Sequence, residues 1–178
     1  MRVIRLIKKC LVIIGSNKTK LKYARKQGVI IGDGCTILGR VEWGSEPYLI
    51  KIGNNVRITS GCQFVTHDGG VHVFRNMSDD MASPKADIFG RIIIGDNVFI
   101  GIRSIIMPGV TIGNNVVIGA GSIVTKNIPN NSVACGVPAK VVKTIDEYFQ
   151  KVSDQMSLTK GMPFENKKMY LQNKFHLD

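Results

Sequence analysis

Ile94–Pro129 divides into six units of six residues: IGDNVF, IGIRSI, IMPGVT, IGNNVV, IGAGSI and VTKNIP. Ile or Val opens every unit, and the fifth position is Val98, Ser104, Val110, Val116, Ser122 and Ile128. An amphipathic helix repeats its apolar residues at three, four and seven, and a half-buried strand alternates every second residue; neither produces a strict six. Three flat segments of six residues close a triangular coil of 18. Each opens with an inward β-branched residue and turns where Gly and Asn tolerate a tight corner. The Ile-Gly-Asp/Asn-Asn-Val corner stands at 94 and again at 112, one coil on.

The same corner occurs as Ile52-Gly53-Asn54-Asn55-Val56 and, more loosely, as Ile31-Gly32-Asp33-Gly34-Cys35. These lie 42 and 21 residues apart from their successors, so residues are inserted into two coils. The first break falls between Glu42 and Lys51, carries the only Trp (Trp43) with Pro47 and Tyr48, and is expected to bulge three residues out of a coil. The second spans Gly70–Ile93, 24 residues without the pattern. Long excursions from a compact repeat are more often functional than idle.

Outside the repeat the period changes. Thr144-Ile145-Asp146-Glu147 has the T-x-x-E form of a capping box, and Ile145, Tyr148, Phe149, Val152 and Met156 follow at helical spacing. A helix is expected there, covering the open end of the last coil, with a second over Phe164–Phe175 and a third over Lys18–Lys26 that stops at Gly28. The organisation expected is a basic segment with a short helix at 1–28, a β-helical domain at 29–143 with a loop over about 67–93, and a helical cap at 144–178.

Composition agrees with one globular domain. The chain has 178 residues, 44% hydrophobic and 21% charged, which excludes a disordered or collagen-like chain. Its 19 glycines exceed the usual roughly 7% and recur beside isoleucines, as the corners require. The net charge of +11 favours anionic partners, and nine of the 24 basic residues lie in the first 32 positions, where there is no Asp or Glu. No interleaved aromatics or reader motif accompany them, so nucleic acid is not an expected partner. Cys10, Cys35, Cys62 and Cys135 form no C-x-x-C pair and are read as small buried thiols of a reducing cytoplasm. No export signal or membrane-spanning stretch is evident, and a cytoplasmic location is expected. The amphipathic start Arg2-Val3-Ile4-Arg5-Leu6-Ile7-Lys8-Lys9 suggests packing against the protein itself or peripheral contact with an anionic inner membrane.

The repeat, with Gly136-Val137-Pro138-Ala139-Lys140 at its exit, resembles the hexapeptide-repeat acyltransferases, most of all their sugar and polysaccharide O-acetyltransferases of the galactoside, maltose and xenobiotic type. The resemblance covers about Gly28–Lys143. It implies an all-β fold, a left-handed parallel β-helix with a long protruding loop and flanking short helices, assembled as a homotrimer with active sites between subunits. The left hand comes from the family alone, since crossovers are generally right-handed.

The resemblance also implies an acetyl-CoA donor, no metal, a saccharide acceptor and a histidine base. His67, in Phe64-Val65-Thr66-His67-Asp68-Gly69-Gly70, stands where the family has that histidine. Imidazole, with an unperturbed pKa of about 6.5, can take the proton of a hydroxyl attacking a thioester. Asp68, Asp79, Asp80 or Asp87 could orient the ring, and Asp68 is named with His67 as catalytic. With no serine or cysteine nucleophile in a recognisable motif, direct transfer is expected. Ile102 matches the backbone donor to the oxyanion. Phe99, Gly101, Gly119 and Ala120 match the pantetheine channel, and Thr125, Lys126, Lys140 and Lys143 the adenine and phosphate end. His72, Arg75, Asp79 and Asp80 belong to the expected substrate loop. Two other readings remain at this stage. One is a non-catalytic β-helix scaffold; the other is a gamma-type carbonic anhydrase, for which His67 and His72 have the spacing but a third histidine ligand is missing.

Overall fold

The structure, a computed structural model, describes residues 15–77 and 85–177. Expectations on the N-terminal segment before Gly15, and on Asp79 and Asp80, fall outside the described residues. The chain divides into two compact units, Met1–Tyr148 and Phe149–Asp178.

The first unit is a parallel β-helix with three faces. One face holds β1 (Ile30–Ile31), β3 (Ile50–Ile52), β8 (Ile92–Ile94) and β11 (Thr111–Ile112). The second holds β2 (Thr36–Ile37), β4 (Arg57–Ile58), β9 (Val98–Ile100), β12 (Val116–Ile118), β14 (Ser132–Gly136) and β15 (Ala139–Thr144). The third holds β5 (Gln63–Phe64), β10 (Ile105–Ile106) and β13 (Ile123–Val124). Register follows the sequence period: Val98 pairs with Val116 and Ile105 with Ile123. The two insertions stand where the broken period put them, since Ile31 pairs with Ile52 and Ile52 with Ile94.

The opening residues of the units form the core. Ile52, Ile94 and Ile112 stack in one row, Ile58, Ile100 and Ile118 in another, and Phe64, Ile106 and Val124 in a third, all at most 2% exposed. The fifth-position serines are buried for a polar reason. Ser104 Oγ donates to the Gly101 and Gly119 carbonyls at 2.8 and 3.1 Å, and Ser122 Oγ to that of Gly119 at 2.7 Å, so each hydroxyl ties down a corner. At another corner Asn55, Asn97, Asn115 and Asn131 all adopt a left-handed backbone at φ 55–56°, which Asn tolerates better than most residues. Their side chains form a ladder: Asn97 Nδ2 donates to Asn115 Oδ1 and Asn115 Nδ2 to Asn131 Oδ1, both at 2.9 Å.

The last unit departs from the expected six. Ile128, and not residue 130, pairs with Ile112, so this coil is two residues short. Asn127 makes the tighter corner possible, because its Oδ1 accepts the Thr111 N–H at 2.8 Å in place of a backbone carbonyl. Beyond it β15 turns back antiparallel on β14 and covers the strand edge of the second face.

Helix α1 (Asn17–Lys26) ends before Gly28, as expected, and Asn17 completes the first coil. Its side chain takes the Ile37 N–H at 2.8 Å and donates to the Cys35 carbonyl at 2.9 Å, acting as a missing strand would. A short helix α2 (Val71–Arg75) lies in the long loop. Helix α3 (Ile145–Val152) starts at the expected capping box, with the Glu147 carboxylate accepting the Thr144 N–H at 2.7 Å and Thr144 Oγ1 accepting the Glu147 N–H at 3.1 Å. The Thr144 N–H, and then its hydroxyl, donated to the carboxylate hold the Glu147 carboxyl below the usual carboxylate range. In the second unit α4 spans Phe164–Phe175, and Lys174 Nζ donates to Ser157 Oγ at 2.6 Å.

Candidate active site

The third face delivers His67 to a corner. From β5 the chain runs through buried Thr66 into β6 (His67–Asp68), which pairs antiparallel with β7 (Ile88–Phe89) and so closes the base of the long loop. The Gly90 N–H donates to the Thr66 carbonyl at 3.0 Å, returning the chain to the helix beside the point where it left. The His67 ring packs on Phe89 with centroids 4.9 Å apart, and its side chain is 35% exposed. It borders a pocket of about 320 Å³ lined by Glu42, Gly44, Ser45, Gln63, Val65 and Gly69 among others.

Among the described residues, the carboxylate beside the imidazole is Asp87, whose Oδ1 lies 3.5 Å from His67 Nε2. Asp68, named as catalytic from the sequence, instead accepts the Gly70 N–H at 2.8 Å and shapes the turn into α2. Arg75, expected in the substrate loop, donates its guanidinium to the Ala86 carbonyl and to Asp87. His72 is exposed on α2 with its ring 3.5 Å from the Asn76 amide. A half-exposed imidazole against one carboxylate, with its other ring nitrogen unengaged by that contact, is an arrangement able to take a proton from a hydroxyl.

A second group of expected residues gathers at the corner between the second and third faces. Gly101, Ile102 and Arg103 stack over Gly119, Ala120 and Gly121 of the next coil. The Gly101 N–H donates to Ile118 O and that of Arg103 to Ser60 O, whereas the Ile102 and Ala120 N–H groups have no acceptor among the described residues. N–H groups without an acceptor are what an oxyanion donor requires. Gly101 and Gly119 have a reason internal to the helix: a Cβ on Gly101 would meet Ala120 N at 2.5 Å, and one on Gly119 would meet Cys135 Cβ at 2.7 Å. Arg103 is the odd residue, at φ 58° where Gly61 and Gly121 above and below it have φ 77° and 68°.

Phe99 is 40% exposed on the outer side of β9, between Arg57 and Val117, in a groove of about 340 Å³. Thr125 and Lys126 are exposed just beyond β13, and Lys140 and Lys143 lie on β15, which touches β13. One chain therefore brings His67, Asp87 and Arg75 together at one corner, and Ile102 and Ala120 together at another. The third face separates them. Sequence reasoning did not select Glu42, Ser45 and Gln63 at the pocket; the available signal was the break in the period after Glu42.

Comparison with known proteins agrees with this architecture. A family model described as "Hexapeptide repeat of succinyl-transferase" matches residues 91–126. Protein CapG of Staphylococcus aureus is 56% identical over 153 residues, 85% of this chain and 86% of that protein. Galactoside O-acetyltransferase of Escherichia coli K12 is 44% identical over 102 residues, 57% of this chain and 47% of that protein. Among solved structures, a galactoside acetyltransferase in complex with coenzyme A superposes with a TM-score of 0.56 at 26% identity, over 84% of this chain and 82% of that one. The chain is an acyltransferase built on a left-handed parallel β-helix, and it belongs to the hexapeptide-repeat acetyltransferase family.

Proposed function

We propose that the chain transfers an acetyl group from acetyl-CoA to a hydroxyl of a saccharide, as a step in polysaccharide assembly, with His67 as general base. The observation that carries this reading is the His67–Asp87 pair at 3.5 Å beside a pocket at the base of the long loop. Asp87 orients the ring and Arg75 holds Asp87. The imidazole takes the hydroxyl proton as the oxygen attacks the thioester carbonyl, the tetrahedral oxyanion is met by the Ile102 N–H, and collapse expels the CoA thiolate, which receives the proton from His67.

The residues present suit the donor. Exposed Phe99 offers an aromatic wall, Ala120 an unspent N–H for a pantetheine amide, and Lys126, Lys140 and Lys143 cations for phosphates. Because His67 and Ile102 occupy different corners of one chain, the site is completed by a neighbouring copy, which supports a homotrimer with shared sites. Peripheral membrane contact through the basic N-terminus is part of the proposal; no described helix is long and apolar enough to cross a membrane. Vesicle binding unchanged on deletion of residues 1–14 would remove that contact.

The test is calorimetric titration with acetyl-CoA, followed by thiol-release assays over a panel of glycosides with the native protein and His67→Ala. Saturable acetyl-CoA binding with His67-dependent transfer supports the reading. A folded protein that binds no acetyl-CoA overturns it.

A further inference from the structure

The second unit of the chain has no buried side chain among its described residues, 149–177. Its apolar residues face outward: Leu158 is 93% and Phe164 77% exposed, and Met156, Met169, Phe175 and Leu177 are each more than half exposed. Lysines are interleaved with them, since residues 156–177 carry Lys160, Lys167, Lys168 and Lys174 against one carboxylate, Glu165. Among the described residues, no hydrogen bond or ion pair engages the side chains of Lys160, Lys167 and Lys168.

Lys174 gathers these side chains. Its Nζ donates to Ser157 Oγ at 2.6 Å and to the Gln155 carbonyl at 3.4 Å, which holds the segment carrying Leu158 beside the C-terminal end of α4. There His176 turns into a left-handed backbone and the Leu177 N–H returns to the Gln172 carbonyl at 2.9 Å, fixing Phe175 and Leu177 at the same end. A turn closed by the Met162 N–H on the Thr159 carbonyl, with Gly161 at φ 84°, sets Lys160 at its corner. Along α4, Phe164, Leu171 and Phe175 recur at i, i+7 and i+11, Lys168 falls on their side of the helix, and Lys167 and Lys174 run along its edge.

We propose that this C-terminal unit docks on an anionic phospholipid bilayer, with Leu158, Phe164, Phe175 and Leu177 entering the headgroup region and Lys160, Lys167 and Lys168 pairing with lipid phosphates. The placement of the lysines selects a bilayer over a second protein surface. An ammonium group set among apolar side chains is desolvated at the core of a protein interface, where lysine is depleted. On a membrane the same stem lies along the apolar layer and its charge reaches the phosphates. The contact is distinct from that of residues 1–14 and does not depend on which group the enzyme transfers.

The experiment is flotation of the full chain with vesicles of phosphatidylcholine alone and of equal parts phosphatidylcholine and phosphatidylglycerol. It compares the native protein with two double variants, Lys167→Gln with Lys168→Gln and Leu158→Ser with Phe175→Ser, whose thermal midpoints and sedimentation masses serve as controls. The expected result is at least tenfold tighter binding of the native protein to the mixed vesicles, and at least a fivefold loss on them in each double variant at unchanged midpoint and mass. In Leu158→Trp, the emission of the introduced tryptophan should shift to the blue on adding mixed vesicles, above the constant signal of buried Trp43. Equal binding to both vesicle types, an affinity unmoved in either double variant, or an unshifted emission overturns the proposal. So does a lower sedimentation mass in the Leu158→Ser, Phe175→Ser protein, which would assign the apolar side chains to a contact between copies.

Discussion

Asp87 Oδ1 sits 3.5 Å from His67 Nε2 and is also the atom gripped by the Arg75 guanidinium, so one carboxylate oxygen links the histidine to the long loop. The link crosses the two-residue ladder formed by His67–Asp68 and Ile88–Phe89, which brings residues 20 apart in sequence into contact. His67→Ala should lower kcat by about 100-fold or more, the ordinary contribution of a positioned base. Asp87→Asn keeps the shape and loses the charge, and a fall of about tenfold in kcat is expected, as for loss of a group that orients a working imidazole. Steady-state thiol-release assays, with acetyl-CoA affinity as the folding control, check both.

Lys126 and Lys140 are expected to contact phosphate groups of acetyl-CoA. The double substitution Lys126→Ala, Lys140→Ala should weaken acetyl-CoA binding by at least about tenfold, the scale of losing two hydrogen bonds to a charged partner. The loss should shrink as salt is raised. Calorimetry at two ionic strengths reads it; equal affinity for the native and double-substituted proteins would remove these lysines from the site.

The Asn97 side chain supports its own left-handed backbone and one rung of the ladder to Asn115. Asn97→Ala removes the side-chain hydrogen bond to Asn115 and puts a less tolerant residue at φ 55°, which should cost about 2 kcal/mol. Thermal unfolding monitored by circular dichroism should show a lower midpoint with unchanged secondary structure in the folded baseline.

Arg103 predicts the opposite sign. Its φ of 58° is one that neighbouring coils give to Gly61 and Gly121, so Arg103→Gly relieves strain and should stabilise the protein by about 1 kcal/mol. A midpoint that falls on substitution would mean that the arginine side chain contributes more than its backbone costs.

The thiols differ in reactivity for a physical reason. Burial pushes the Cys35 and Cys62 thiols above their usual range, whereas Cys135 is exposed. Since the thiolate is the nucleophile, Cys135 should be alkylated first among these three, which peptide mapping after brief treatment at pH 8 will show. For stability the sign follows from the protons: the folded state holds them more tightly than the unfolded one. The contribution is complete below the ordinary thiol pKa and is lost as pH rises through the raised one.

The period of six, the positions of both insertions, the Asn and Gly corners and the three helices were legible because they are local. Each unit meets the same inward row and the same corner, so the requirement is written six residues at a time, and the T-x-x-E capping box needs only four. The family resemblance then carried the hand of the helix and pointed to His67. The shortened last coil was not legible, because it depends on Asn127 reaching across to Thr111 in the coil below.

Within the site, sequence determined residue types at corners, and tertiary structure decided partners. Of the four carboxylates open as companions of His67, Asp79 and Asp80 fall outside the described residues; the β6–β7 ladder brings Asp87 to the ring, and the turn at Gly70 takes up Asp68. Arg75, expected in the substrate loop, pairs with Asp87, and Glu46 accepts a hydrogen bond from the Thr66 hydroxyl, 20 residues away. Such pairings are made by loops that leave the repeat and return to it. No period constrains where a side chain on such a loop will land, and only the closed chain brings its charges and hydroxyls within hydrogen-bonding distance.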